Sequence, residues 1–184
     1  MNDKSVAEAA EVVAFWREAG SDKWYEKNDA FDRAIESRFG ALHSAAAEGE
    51  KDAWPQTPEG ALALLLVLDQ FSRNLFRGSP RTFAQDEKAR QVARAALDMG
   101  FDLAAGPALR EFFYLPFMHS ELIADQERSV LLCHSLPNPG TLPFARDHER
   151  IIRRFGRFPH RNKSLGRHTS PAEQLFLDGG GFSG

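Results

Sequence analysis

The chain has 184 residues, 42% of them hydrophobic and 27% charged, with a formal net charge of −3. That size fits one domain with a buried core, the composition argues against gross disorder, and the acidic balance disfavours nucleic acid as a partner. One cysteine, Cys133, excludes an intramolecular disulfide, and the longest strongly apolar run, residues 61–68, is far too short to cross a bilayer. With no signal-peptide pattern at Met1-Asn2-Asp3-Lys4, the expectation is a soluble cytoplasmic protein without a membrane partner.

Helical periodicity runs through nearly the whole chain. Residues 5–19 place Val12, Phe15, Trp16 and Ala19 on one side, and Gly20 stops the helix. Asn28 or Asp29 can cap a second helix with a stripe of Phe31, Ile35, Phe39 and Leu42. After a loop, Thr57 and Pro58 open a helix to about Phe76 that is apolar on nearly every face through Leu68, which predicts the central buried helix.

Gly78-Ser79-Pro80 breaks that helix. Thr82 and Gln85 have capping-box spacing for a helix ending near Met99 and Gly100. Pro107 is expected to open a helix through Phe112, Phe113, Phe117 and Glu121, kinked at Pro116. Asp125 is expected to cap a short helix over Val130–Leu132, cysteine 133 lying buried and inert on its apolar face. Residues 141–155 form a basic helix, Ser170-Pro171-Ala172-Glu173 is a capping box for a last one, and residues 179–184 read as a loose glycine-rich tail. No alternation of the β type persists. The expected architecture is one all-α domain over residues 1–178, about eight helices packed as antiparallel hairpins.

Polar residues concentrate in three places. Asp69 and Arg73 sit at i, i+4 on the same face as Leu62, Leu65, Leu66 and Phe76, with Gln70 and Asn74 beside them. A charged pair continuing a buried stripe must be compensated, either as an ion pair or as the floor of a polar cavity. The run Arg157-Phe158-Pro159-His160-Arg161-Asn162 puts two guanidiniums, an imidazole and a carboxamide on a stiff proline corner. One of these arginines could reach Asp69 as a latch while the other serves a ligand. The third place is Tyr114–Glu121, where His119 and Glu121 are candidate pocket residues. No nucleophile elbow surrounds Ser120, and no metal-ligand spacing or glycine-rich phosphate loop occurs anywhere, so neither a metal nor a cofactor is expected.

Charge is lopsided. Residues 1–145 sum to −7 and residues 146–167 to +6. A basic stripe of Arg146, Arg150, Arg153 and Arg157 lacks interleaved aromatic platforms and reads as a solvated amphipathic face.

The motifs Leu68-Asp69-Gln70-Phe71-Ser72-Arg73-Asn74, Tyr114-Leu115-Pro116-Phe117-Met118-His119-Ser120-Glu121 and Arg157-Phe158-Pro159-His160-Arg161-Asn162, taken in order, resemble the bacterial family labelled domain of unknown function 924. The resemblance covers almost the whole chain and implies a helical array similar to tetratricopeptide hairpins. It implies no activity. Function is therefore unknown from the sequence. The leading expectation is a non-enzymatic helical domain binding a protein, a peptide or a small anionic ligand. Its candidate residues are Asp69, Arg73, Asn74, His119, Glu121, Arg157, His160, Arg161 and Asn162. The rival is an enzyme using an Arg/His/carboxylate pocket on a small anionic substrate, and a third reading makes all three clusters structural glue.

Overall fold

The computed structural model describes residues 3–182, and among them regular structure is helical throughout, with no strand. The α-helices are α1 (Asp3–Ala19), α2 (Ser21–Trp24), α3 (Asp29–Ala47), α4 (Pro58–Leu65), α5 (Ser72–Leu75), α6 (Asp86–Asp98), α7 (Leu115–Met118), α8 (Ile123–His134), α9 (Thr141–Phe155) and α10 (Pro171–Asp178). They fall into two compact units. The first runs through Arg77 and resumes over Arg81–Pro116; the second holds Gly78–Pro80 and the chain from Phe117 onward.

In the first unit the local signals act as the residue types dictate. The Asn28 side chain accepts from the N–H groups of Ala30 and Phe31 at 3.0 Å each, capping α3. Thr57 caps α4 through its hydroxyl, which accepts from Gly60 N–H at 3.1 Å. Gly60 is obligatory for a different reason: a Cβ there would lie 2.0 Å from the Trp54 carbonyl oxygen, so only a hydrogen lets the chain pass. Every residue from Gly60 to Ser72 is buried, as expected for a central helix. Around it pack Val12, Val13 and Trp16 of α1 and Ile35 and Phe39 of α3. Trp16 makes edge contacts with Phe112 (5.6 Å between centroids), and Phe39 lies 5.2 Å from Phe71.

The central helix is not uniform. Leu66–Phe71 is a π turn, one residue wider than the α ladder that precedes it. Two carbonyls of this segment take side-chain donors: Ser72 Oγ donates to Leu68 O at 2.6 Å and Arg73 Nη1 to Asp69 O at 2.7 Å. Apolar periodicity cannot register such a turn, because all of its residues are buried whichever ladder they use.

Four local expectations are corrected. Thr82 does not cap α6: its hydroxyl donates to Phe76 O, and the helix starts at Asp86 with Gln85 before it and no side-chain cap. The helix predicted from Pro107 is instead a 3₁₀ turn, Arg110–Phe113, followed by α7. Pro116 lies in the first turn of α7, where proline is tolerated, so it starts a helix rather than kinking one. Asp125 is not a cap either. It sits in the first turn of α8 and accepts from Ser120 Oγ at 2.8 Å.

The second unit is built on α8 and α9, joined by the short loop that ends at Gly140. Ile151, Ile152 and Phe158 form its core with Phe155, Phe176 and Phe182 packed against them. Gly156 ends α9 at φ 69°, the left-handed conformation that glycine adopts without a Cβ clash. Ser170 and Glu173 form the expected capping box of α10. The tail is packed as far as Phe182, whose ring lies 4.5 Å from that of His148; Ser183 and Gly184 lie outside the described residues.

Candidate functional site

The polar end of the central helix is an ion-pair network within the first unit. Arg73 reaches Asp69 Oδ1 and Asp86 Oδ1, both at 3.1 Å, while Gln70 Nε2 donates to Asp69 Oδ2 at 2.5 Å. Burial alone would lower the Arg73 pKa. The two carboxylates outweigh it and raise it, so the guanidinium stays charged. The i, i+4 pairing of Asp69 with Arg73 read from the sequence is therefore present, and Asp86 is a second partner that the spacing did not reveal. Asn74 belongs to a neighbouring set: its Nδ2 donates to Asp32 Oδ1 at 2.7 Å, and Arg77 grips the same carboxylate at 2.7 and 3.1 Å.

A third network in this unit joins Tyr114, Asp102 and Arg110. Tyr114 OH donates to Asp102 Oδ2 at 2.6 Å. Burial, and then the adjacent Asp102 carboxylate, push the phenol up to about 12.

The proline corner lies in the second unit. Phe158 has the extended backbone (φ −88°, ψ 110°) that a residue before proline favours, and Pro159–Arg161 is a 3₁₀ turn. Arg157 forks onto Glu173, Nε to Oε1 at 2.6 Å and Nη2 to Oε2 at 2.8 Å, and Nη2 also donates to His168 O. That guanidinium holds the Glu173 carboxyl far below the usual carboxylate range, helped by the Ser170 N–H. Arg161, buried, donates to His119 O at 2.9 Å and stands 4.6 Å over the Phe158 ring. Asn162 Nδ2 donates to Thr169 Oγ1 at 3.3 Å, and the His160 ring packs 5.1 Å from Phe182.

Glu121 lies in the irregular stretch after α7, not on a helix, which frees it from the i, i+2 constraint that a helix would impose on it and His119. Its Oε1 accepts from Phe158 N–H at 3.0 Å and from Arg167 Nη1 at 2.8 Å. Burial pushes this carboxyl up, but those hydrogen bonds and the Arg167 charge outweigh it and leave it lowered. Of the nine candidates, Asp69, Arg73 and Asn74 thus belong to the first unit and His119, Glu121, Arg157, His160, Arg161 and Asn162 to the second. Asp32, Asp86 and Arg167 complete the networks and were missed, as was the pairing of the capping-box residue Glu173 with Arg157. Each of the first three is an acidic or basic residue of ordinary helix-end or loop context, with no local mark of burial. Among the described residues no group of three or more His, Cys, Asp or Glu side chains is placed to hold a metal ion.

A groove of about 380 Å³ opens in the first unit between α1 and the start of α4. Val6, Ala9, Val13 and Leu62 line it, with Arg17 and Glu59 among its polar residues. Both of those charged residues are exposed, and among the described residues Arg17 pairs with no carboxylate. Sequence reasoning singled out none of this, because small apolar residues on an amphipathic helix carry no signal of a depression.

The family model for a bacterial protein of unknown function, DUF924, matches residues 12–181, and the chain belongs to that family. A solved structure of a protein of unknown function, ATU0120 from Agrobacterium tumefaciens, is similar at 47% identity and a TM-score of 0.92, over 95% of this chain and 99% of that one. No curated protein matches.

Proposed function

Starting from a family without an assigned activity, we propose that the protein is a non-enzymatic helical domain that binds a peptide segment of a partner protein in the groove of the first unit. The observation that carries this reading is the groove itself. Its volume of about 380 Å³ is in the range that holds ligands, its floor is apolar, and it offers one guanidinium and one carboxylate. A polypeptide presents that combination of apolar side chains and charges of both signs. In this reading the nine motif residues, Asp69, Arg73, Asn74, His119, Glu121, Arg157, His160, Arg161 and Asn162, are the frame that keeps the helices in place. Support comes from Arg73 and Arg157, each of which commits its guanidinium to carboxylates of its own unit. The enzyme reading has less support, since a general acid working near neutrality needs a raised carboxyl and that of Glu121 is lowered. Cytoplasmic localisation belongs to the same proposal, supported by the use of a single cysteine, the buried Cys133; among the described residues no helix is long and apolar enough to cross a membrane.

The test is a random peptide library panned on the immobilised protein, with enriched peptides titrated by fluorescence anisotropy. Arg17→Glu and Val6→Asp alter exposed positions and leave the core intact. Enriched peptides are expected to lose at least about tenfold in affinity for either variant, a change of about 1.4 kcal/mol. Absence of enrichment, or equal binding to wild type and both variants, refutes the reading.

A further inference from the structure

A smaller cavity of the first unit, about 140 Å³, has a lining distinct from that of the groove. His43 and Glu48 at the end of α3, Phe76, and Arg81 and Gln85 ahead of α6 line it. His43 is only 4% exposed. Its Nε2 lies 2.8 Å from Ser72 Oγ, and the Ser72 hydroxyl already donates to Leu68 O at 2.6 Å. The serine proton is therefore committed, and the hydrogen between the two side chains must come from the imidazole. Nε2–H donates, and in the neutral ring Nδ1 carries a bare lone pair. This also removes Ser72 as a nucleophile: it is fully buried, and the neighbouring ring gives it a proton rather than taking one.

Nδ1 is the group His43 has left to offer the cavity, and among the described residues it has no hydrogen-bond partner. His148 shows the contrast, since its Nδ1 is held by Phe144 O at 2.8 Å. The cation nearest in effect is Arg81, whose guanidinium stands 3.8 Å over the Phe76 ring. Burial and then the Arg81 charge lower the His43 pKa, so the ring is neutral while the cavity holds no anion. Two other charges face this region. Glu48 is exposed at the lip, where solvent screens it, and Lys88 of α6 is turned to Ala46 O at 2.8 Å. The start of α6, with Gln85 as its uncapped N-cap, adds a positive helix end.

We propose that this cavity is a site for one small oxyanion, a carboxylate or a phosphate, clasped between the Arg81 guanidinium and a His43 imidazole that takes up a proton as the anion enters. The volume admits a single such group and no drug-sized ligand. An incoming anion offsets the Arg81 charge that disfavours the imidazolium. Protonation then turns Nδ1 from an acceptor facing the anion into a donor. Binding and proton uptake are thereby linked, and anion affinity rises as the pH falls through the midpoint of the anion-bound imidazole.

The experiment follows the His43 imidazole by ¹⁵N-edited NMR through a pH titration, alone and with sodium phosphate, sodium acetate or sodium chloride at equal ionic strength. Phosphate, acetate or both are expected to raise the His43 midpoint by about one unit, equivalent to about tenfold tighter binding to the imidazolium form. Whichever salt acts identifies the oxyanion class. Arg81→Gln, an exposed change, is expected to raise the midpoint without any anion and to abolish the further rise with one. Equal midpoints in all three salts, or an anion effect undiminished in Arg81→Gln, overturns the proposal. Neither result bears on the peptide groove, whose lining shares no residue with this cavity.

Discussion

Replacing Arg73 by Met removes one side chain from a network of three acceptors. Arg73 satisfies Asp69 Oδ1 and Asp86 Oδ1 at 3.1 Å each and the Asp69 carbonyl at 2.7 Å, and the two carboxyl side chains are 2% and 9% exposed. Methionine fills much of the same volume, so the cavity contribution is small and the loss is electrostatic. Leaving buried charges without their partner costs about 3–5 kcal/mol. For a chain of this length each kcal/mol corresponds to roughly 2–4 °C, so Tm should fall by about 6–20 °C. All three tryptophans, Trp16, Trp24 and Trp54, lie in the first unit, so urea unfolding followed by tryptophan fluorescence reports on the unit that carries the change. Arg73→Lys keeps the charge but cannot span both carboxylates and the carbonyl, and it should fall between wild type and Arg73→Met. A cycle with Asp69→Asn should show a coupling of at least about 1 kcal/mol. A loss below about 1 kcal/mol for Arg73→Met, the level of an exposed pair, would refute the claim that this network holds the helix end.

Gly60→Ala should destabilise by about 1–3 kcal/mol or more, because the new Cβ would meet the Trp54 carbonyl 2.0 Å away; unchanged urea midpoints would show that the backbone yields freely. Glu173 has a lowered carboxyl in the folded state, so its contribution is complete above the unfolded value of about 4.3 and is lost as pH falls through the folded one. Wild type should therefore exceed Glu173→Gln in stability at neutral pH and converge with it in acid, and a constant gap across acid denaturation curves would contradict this. Tyr114, raised to about 12, contributes stability that is complete below about 10 and is lost as pH rises through the folded value. In Tyr25→Phe, the phenolate absorbance of the remaining tyrosine should emerge only near pH 12 or upon alkaline unfolding; emergence near 10 in the folded protein refutes the buried Tyr114–Asp102 bond.

What lies within one helical turn was readable from the chain. The caps at Asn28, Thr57 and Ser170, the Asp69–Arg73 pair and the proline corner depend on residues at most four apart, where backbone geometry fixes who can meet. The all-α class followed from the same short-range periodicity. The irregular stretch from Arg110 to Leu122 did not, because its 3₁₀ turn and short α7 bury the aromatic residues Phe112, Phe113 and Phe117, an apolar pattern that fits a helix equally well. The π turn was hidden for a related reason, since full burial erases the face that periodicity would display.

Partners distant in sequence were decided by packing alone. Asp32 is shared by Asn74 and Arg77 across more than 40 positions, Arg157 finds Glu173 16 residues on, and His43 meets Ser72 across 29. Sequence by itself determined that the chain folds into helices, where several of them start, and which polar residues must be compensated. Tertiary structure decided what compensates them, because side-chain reach is a few ångströms in space and carries no memory of separation along the chain.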